Sequence, residues 1–123
     1  MTVYEQMLDY AAQQAPLEMC GLLFSGDRFV PCKNVATDKE HTFEIDHLDY
    51  LKQCMIHDRK PLAIVHSHPH TGAVPSVKDC RLMDALQVSK HDLRMVIVGL
   101  WPKEIRSFQK QGHVYRCEWV WPT

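Results

Sequence analysis

The sequence predicts an α/β domain in which a mixed β-sheet is packed between helices. Three observations point there. Leu62-Ala63-Ile64-Val65 is a compact apolar run, and Leu93 to Leu100 is rich in β-branched residues, as expected of two central strands. Other stretches carry apolar residues at helical spacing. The resulting order is helix, hairpin, helix, strand, helix and three strands, a mixture that suits a sheet layered between helices.

The first helix is expected over residues 3–15. Thr2-Val3-Tyr4-Glu5 reads as a capping box, and Val3, Met7, Leu8, Ala11, Ala12 and Ala15 recur at helical spacing up to Pro16. Pro16-Leu17-Glu18-Met19-Cys20-Gly21-Leu22-Leu23-Phe24 follows, its short, continuous apolar end expected as a buried strand, and Ser25-Gly26-Asp27 is turn chemistry that reverses the chain into a second strand from Phe29 to Val35. Residues 36–42 are polar and irregular. Asp46 is a candidate N-cap for a helix over about 47–58, with Leu48, Leu51, Cys54 and Met55 inward, ended by Arg59-Lys60-Pro61. After the central strand that ends at His66, Gly72 and Pro75 mark a loop, and Ser76 opens a third helix with Leu82, Met83 and Leu86 on one face. Trp101-Pro102-Lys103 turns the chain out of the second central strand. Glu104 to Gln109 and His113 to Val120 then form a closing antiparallel pair around Lys110-Gln111-Gly112.

The 123 residues are 46% hydrophobic and 24% charged, which suits one globular domain with one core over residues 1–123. A net charge of -1 leaves no basic footprint for nucleic acid. The apolar runs are too short to span a bilayer, and the N-terminus lacks the pattern of a secretory signal. Five cysteines, Cys20, Cys32, Cys54, Cys80 and Cys117, are widely spread with no C-x-x-C pair, which argues against a disulfide framework or a Cys-based zinc ribbon. Reduced thiols and a cytoplasmic location are expected.

Chemistry concentrates in Val65-His66-Ser67-His68-Pro69 and in Ser76 and Asp79. On a strand, residues two apart share a face, so the imidazoles of His66 and His68 leave side by side. The short loop to Ser76 and Asp79 returns a hydroxyl and a carboxylate towards them. Two neutral imidazoles, one carboxylate and an open position make a catalytic rather than a structural zinc site. Each part has a plainer reading alone. A His-x-His pair is more often a surface or hydrogen-bonding pair than a ligand set, and Ser76-Val77-Lys78-Asp79 is an ordinary capping box. Together they weigh more, because the pair ends an apolar strand at the sheet edge where α/β folds commonly place their sites. The acid also falls in a helix first turn, where the helix dipole favours its ionised form.

Glu18, His66-Ser67-His68, seven further residues, Ser76, two residues and Asp79 resemble the JAMM signature of the MPN/JAB metallopeptidases. Pro16-Leu17-Glu18-Met19-Cys20-Gly21 resembles that family's segment around its upstream glutamate. The resemblance implies an MPN/JAB-type domain of cytidine-deaminase-like layout. It implies Zn²⁺ on His66, His68 and Asp79, Glu18 as general base, Ser76 as oxyanion stabiliser, and a protein or peptide substrate, often the tail of a ubiquitin-like fold. Ala15 to Gly21, Phe29-Val30-Pro31-Cys32-Lys33-Asn34 and Ile64 to Pro69 also resemble the N-terminal peptidase domain of the tail assembly proteins of lambda-like phages. That implies a phage tail protein as partner and the host cytoplasm as location. Such proteins carry a second, NlpC/P60 domain, for which this chain leaves no room. It also leaves none for the large insertions that grip ubiquitin, so ubiquitin itself is not expected.

His70 can face the cleft but is expected at the surface with His41, His47, His57, His91 and His113. Cys20 and Cys80 lack a His partner and are expected as core residues. Trp101, Trp119 and Trp121 fit core or rim, with packing of the last strand the plainer reading. A zinc deaminase needs a Pro-Cys-x-x-Cys pair, which is absent. The alternative from another class is a non-catalytic MPN-type scaffold, which usually loses one or more ligand residues; here all are kept.

Overall fold

The computed structural model describes residues 1–89 and 91–122. Helix α1 (Val3–Gln14) starts at the capping box expected from the sequence. Glu5 N–H donates to Thr2 Oγ1 at 3.2 Å, and Thr2 N–H donates to Glu5 Oε1 at 2.9 Å. A hairpin follows, β1 (Cys20–Phe24) and β2 (Arg28–Cys32). Its turn needs positive φ at Gly26 (79°) and Asp27 (55°), which Gly adopts freely and Asp tolerates. Then come α2 (His47–His57), β3 (Ala63–His68), α3 (Val77–Val88), β4 (Arg94–Leu100), β5 (Lys103–Gln111) and β6 (Val114–Trp121).

The strands form one mixed sheet in the order β2-β1-β3-β4-β5-β6. β3 and β4 are parallel, joined through α3; every other pairing is antiparallel. Alternation along the strands divides the core into two faces. On one face Val3, Met7 and Ala11 of α1 bury against Val65, Val96, Val98 and Ile105. On the other, α2 and α3 cover Leu22, Phe24, Ile64, Met95 and Ile97. The expected layering holds, and β3 places Ile64, His66 and His68 together on the α2–α3 face.

Several expectations need correction. β2 ends at Cys32 instead of Val35, because the next backbone groups turn to other partners: Lys33 N–H donates to Asp49 Oδ2 at 2.9 Å, and Asn34 bridges to Ile45. α2 spans the expected residues but is rotated. Its inward side is Tyr50, Cys54 and His57, while Leu48 and Met55 are 73% and 80% exposed and Leu51 is also exposed. The bond that Asp49 accepts from Lys33, just past β2, holds that side of the helix to the sheet. Asp46 makes no side-chain cap bond. His57 is therefore not a surface residue; it is half-buried, its ring stacked on Phe24 at 4.0 Å. Cys20 is fully buried, whereas Cys80 is only half-buried. Trp119 and Trp121 pack on Tyr4 of α1, and Trp101 is exposed.

Met7→Ala should destabilise the fold by about 2–5 kcal/mol, since Met7 is wholly enclosed between α1 and the sheet. Leu48→Ala should stay within about 0.5 kcal/mol of wild type. Urea melts measure both; a comparable loss for Leu48→Ala would contradict the rotation of α2.

Candidate metal centre

The site lies at the C-terminal end of β3. His66 pairs in register with Cys20 of β1 and Ile97 of β4, and His68 with Gly99. Both strands flanking β3 hold it in place, so the two imidazoles start from fixed backbone. Their ring centroids are 5.1 Å apart. The loop then folds over the strand end. Gly99 permits this: a Cβ there would lie 2.5 Å from the carbonyl carbon of Gly72. The loop is also held by Glu104, whose Oε2 accepts from Ala73 N–H at 2.8 Å.

α3 returns the carboxylate. Ser76 is its N-cap, and the capping box is complete: Asp79 N–H donates to Ser76 Oγ at 3.1 Å, and Ser76 N–H donates to Asp79 Oδ2 at 2.9 Å. The capping and ligand readings of this segment are therefore compatible. The box aims Asp79 inward, where Oδ1 lies 3.0 Å from His66 Nε2 and Oδ2 lies 3.1 Å from His68 Nε2. From the start of β1, Glu18 brings Oε1 to 3.4 Å from His66 Nδ1. The structure thus brings together His66, His68, Asp79 and Glu18, all largely buried, with Ser76 exposed at the rim.

These residues fit a metal ion. One atom each from His66, His68 and Asp79 lies within 4.8 Å of the others. His68 Nδ1 must donate to the Gly72 carbonyl at 3.1 Å, which leaves a lone pair on Nε2 in the neutral ring. That lone pair faces a carboxylate oxygen, a repulsive pairing unless a cation or proton lies between. The nitrogens of His66 are buried without a well-aligned hydrogen bond, despite carboxylates at 3.0 and 3.4 Å. Buried orphaned nitrogens are costly in a protein interior and ordinary in a ligand.

Electrostatics agree. Burial alone would lower the pKa of His66, but the carboxylates of Asp79 and Glu18 outweigh it and push the imidazole up to about 9. Burial would raise Asp79, but with protons on the imidazoles and no metal between, hydrogen bonds from His66 and His68, the charge of His66 and the Ser76 backbone N–H hold it well below the usual carboxylate range. The thiol of Cys20, by contrast, is pushed up to about 12 by burial and by Cys32, Asp49 and Glu18, so it is no nucleophile at neutral pH.

A cleft of about 240 Å³ opens beside the cluster, lined by Glu18, His68 and Ser76 with Glu40, His70 and Val74. His70 is exposed there and faces Glu40 at 3.5 Å. Sequence reasoning missed Phe43, whose ring stacks on His66 with centroids 4.3 Å apart and planes 17° from parallel. It also missed Ser67, on the opposite face, whose Oγ accepts from Met19 N–H at 2.8 Å and pins the Glu18–Met19 segment to β3. No periodicity marks either residue.

The sequence profile of the prokaryotic homologs of the JAB domain matches residues 2–111, and so spans the whole of this cluster. The chain belongs to that family. This JAB domain is 28% identical over 115 residues to the tail tip assembly protein K of Escherichia phage N15, covering 89% of this chain and 44% of that protein. The chain thus spans less than half the length of that curated relative. The JAB domain also resembles the solution structure of protein DSY2949 from Desulfitobacterium hafniense, with 32% identity, a TM-score of 0.68, and coverage of 93% of this chain and 84% of the other. Among the described residues, no helix is long and apolar enough to cross a membrane.

The pH dependence of the metal-stripped domain follows from these shifts. The raised His66 stabilises fully below about pH 6.5, and that contribution is lost as pH rises through about 9. The depressed Asp79 stabilises above its unfolded value and is lost as pH falls. The melting temperature of stripped protein should therefore fall between pH 6.5 and 9, and fall less in Asp79→Asn. A flat profile in the stripped wild type would contradict the His66–Asp79 pair.

Proposed function

We propose that this JAB domain is a zinc-dependent peptidase or isopeptidase of the JAMM type. The observation that carries the reading is the meeting of Glu18 with the His66–His68–Asp79 cluster beside an open cleft that Glu18 and His68 help to line. His66, His68 and Asp79 would hold the ion, an oxygen–nitrogen donor set that suits zinc with a position left for substrate. Zinc there would supply Lewis acidity, which acidifies a water and polarises the scissile carbonyl.

The chain's own groups do the rest. Glu18 accepts the proton of the attacking water on a carboxylate oxygen and delivers it to the leaving nitrogen as the C–N bond breaks. Ser76 spends its oxygen lone pair on the Asp79 N–H, which leaves its own O–H free to donate to the oxyanion. Gly72, through its carbonyl, keeps the His68 lone pair on Nε2. Phe43 covers one face of His66 and keeps water off it.

The substrate in this reading is an extended protein tail, of a phage tail protein or of a ubiquitin-like fold, met in the host cytoplasm. Its support is the likeness to a tail tip assembly protein. A second reading, a non-catalytic scaffold, draws on one observation: Leu48, Leu51, Met55 and Ile56 of α2 face solvent. The full donor set weighs against it.

The test is digestion of a proteome-derived peptide library by zinc-loaded protein, read by mass spectrometry. Wild type should cleave. Glu18→Gln should keep near one zinc per chain and lose about 10²-fold or more in rate. Asp79→Ala should lose the zinc. Full activity in Glu18→Gln would overturn the base assignment, and wild type that binds no zinc would favour the scaffold.

A further inference from the structure

We propose that Asn34 is a positioning residue, whose single side-chain amide sets both Glu18 and Phe43 against His66. An asparagine amide offers two N–H donors and two acceptor lone pairs. Here all four are used. Nδ2 donates to the carbonyls of Glu18 at 2.9 Å and Thr42 at 3.2 Å, and Oδ1 accepts from the N–H groups of Ala36 at 3.0 Å and Glu44 at 3.1 Å. The residue lies just past β2, at the isolated bridge to Ile45. It fastens the entrance of β1 to both ends of the irregular stretch that follows β2.

Three of those four bonds reach the metal centre in one step. Glu18 has its carbonyl held by Asn34 and its N–H held by the Lys39 carbonyl at 2.7 Å, so both backbone groups of the base are tied to the same loop. Thr42 and Glu44 flank Phe43, so the two bonds there fix the ring that stacks on His66. Asn34 itself contacts no ligand atom. It acts on the base and on the ring over one imidazole, and proton transfer depends steeply on such placement.

This inference rests on the reading of Glu18 as the base, and its test separates the two. Asn34→Asp keeps the acceptor but turns a carboxylate oxygen towards two carbonyls. Asn34→Ala removes donors and acceptor without adding charge, and serves if the aspartate variant does not fold. For each variant three quantities are measured: zinc stoichiometry, the imidazole NMR signals of His66 together with amide exchange at Ala36 and Glu44, and kcat and KM on a library peptide that wild type cleaves. Zinc should stay near one per chain. In both variants the His66 signals should move and kcat should fall about tenfold or more while KM changes less than about twofold; exchange at Ala36 and Glu44 should quicken in Asn34→Ala, which alone loses their acceptor. Unmoved His66 signals, or wild-type kcat, in a folded variant would overturn the role. If wild type cleaves nothing, the peptidase reading fails, and the His66 signals still decide whether Asn34 sets the site.

Discussion

The structure turns on the close opposition of one carboxylate and two imidazoles. Asp79 offers an oxygen to each of His66 and His68 at 3.0 and 3.1 Å, inside a protein wall that excludes most water. Acceptors and lone pairs crowded this closely need a cation or protons among them. The raised pKa of His66 and the depressed one of Asp79 are two faces of that need. A metal ion held by the three side chains would answer it.

Much of the fold serves to make this opposition rigid. β3 sits between β1 and β4, and the parallel register with β4 fixes the height of both histidines. The α3 capping box does two jobs with one side chain, since Asp79 closes the helix end and faces the imidazoles. Gly99 lets the loop approach closely enough for the Gly72 carbonyl to set the tautomer of His68. Glu18 arrives from a segment tied down by Ser67, Lys39 and Asn34. Each of these is a backbone or hydrogen-bond device rather than a further ligand.

The element order and the two central strands were legible in the sequence, because buried strands and amphipathic helices leave strong periodic signals; that the two strands pair in parallel came only from the structure. The convergence of His66, His68 and Asp79 was legible too, because spacing on a strand and at a helix start translates directly into geometry; Glu18 came only from the resemblance to the JAMM signature, since no spacing relates it to the histidines. α2 was misread. Leu48, Leu51 and Met55 form an apolar stripe, but Asp49 accepts from Lys33 just past β2, and the helix sits with Tyr50 and His57 facing inward. Phe43 and Asn34 were invisible for a related reason. They lie in irregular chain, where contacts depend on a path in space that no period encodes.

The central claim is that His66, His68 and Asp79 ligate one zinc ion, and zinc K-edge X-ray absorption of the loaded protein tests it directly. The account predicts a four-coordinate shell of light atoms, two of them imidazole nitrogens, at about 2.0–2.2 Å. A sulfur scatterer at about 2.3 Å, which would bring in one of the five cysteines, or a shell without imidazole would contradict it.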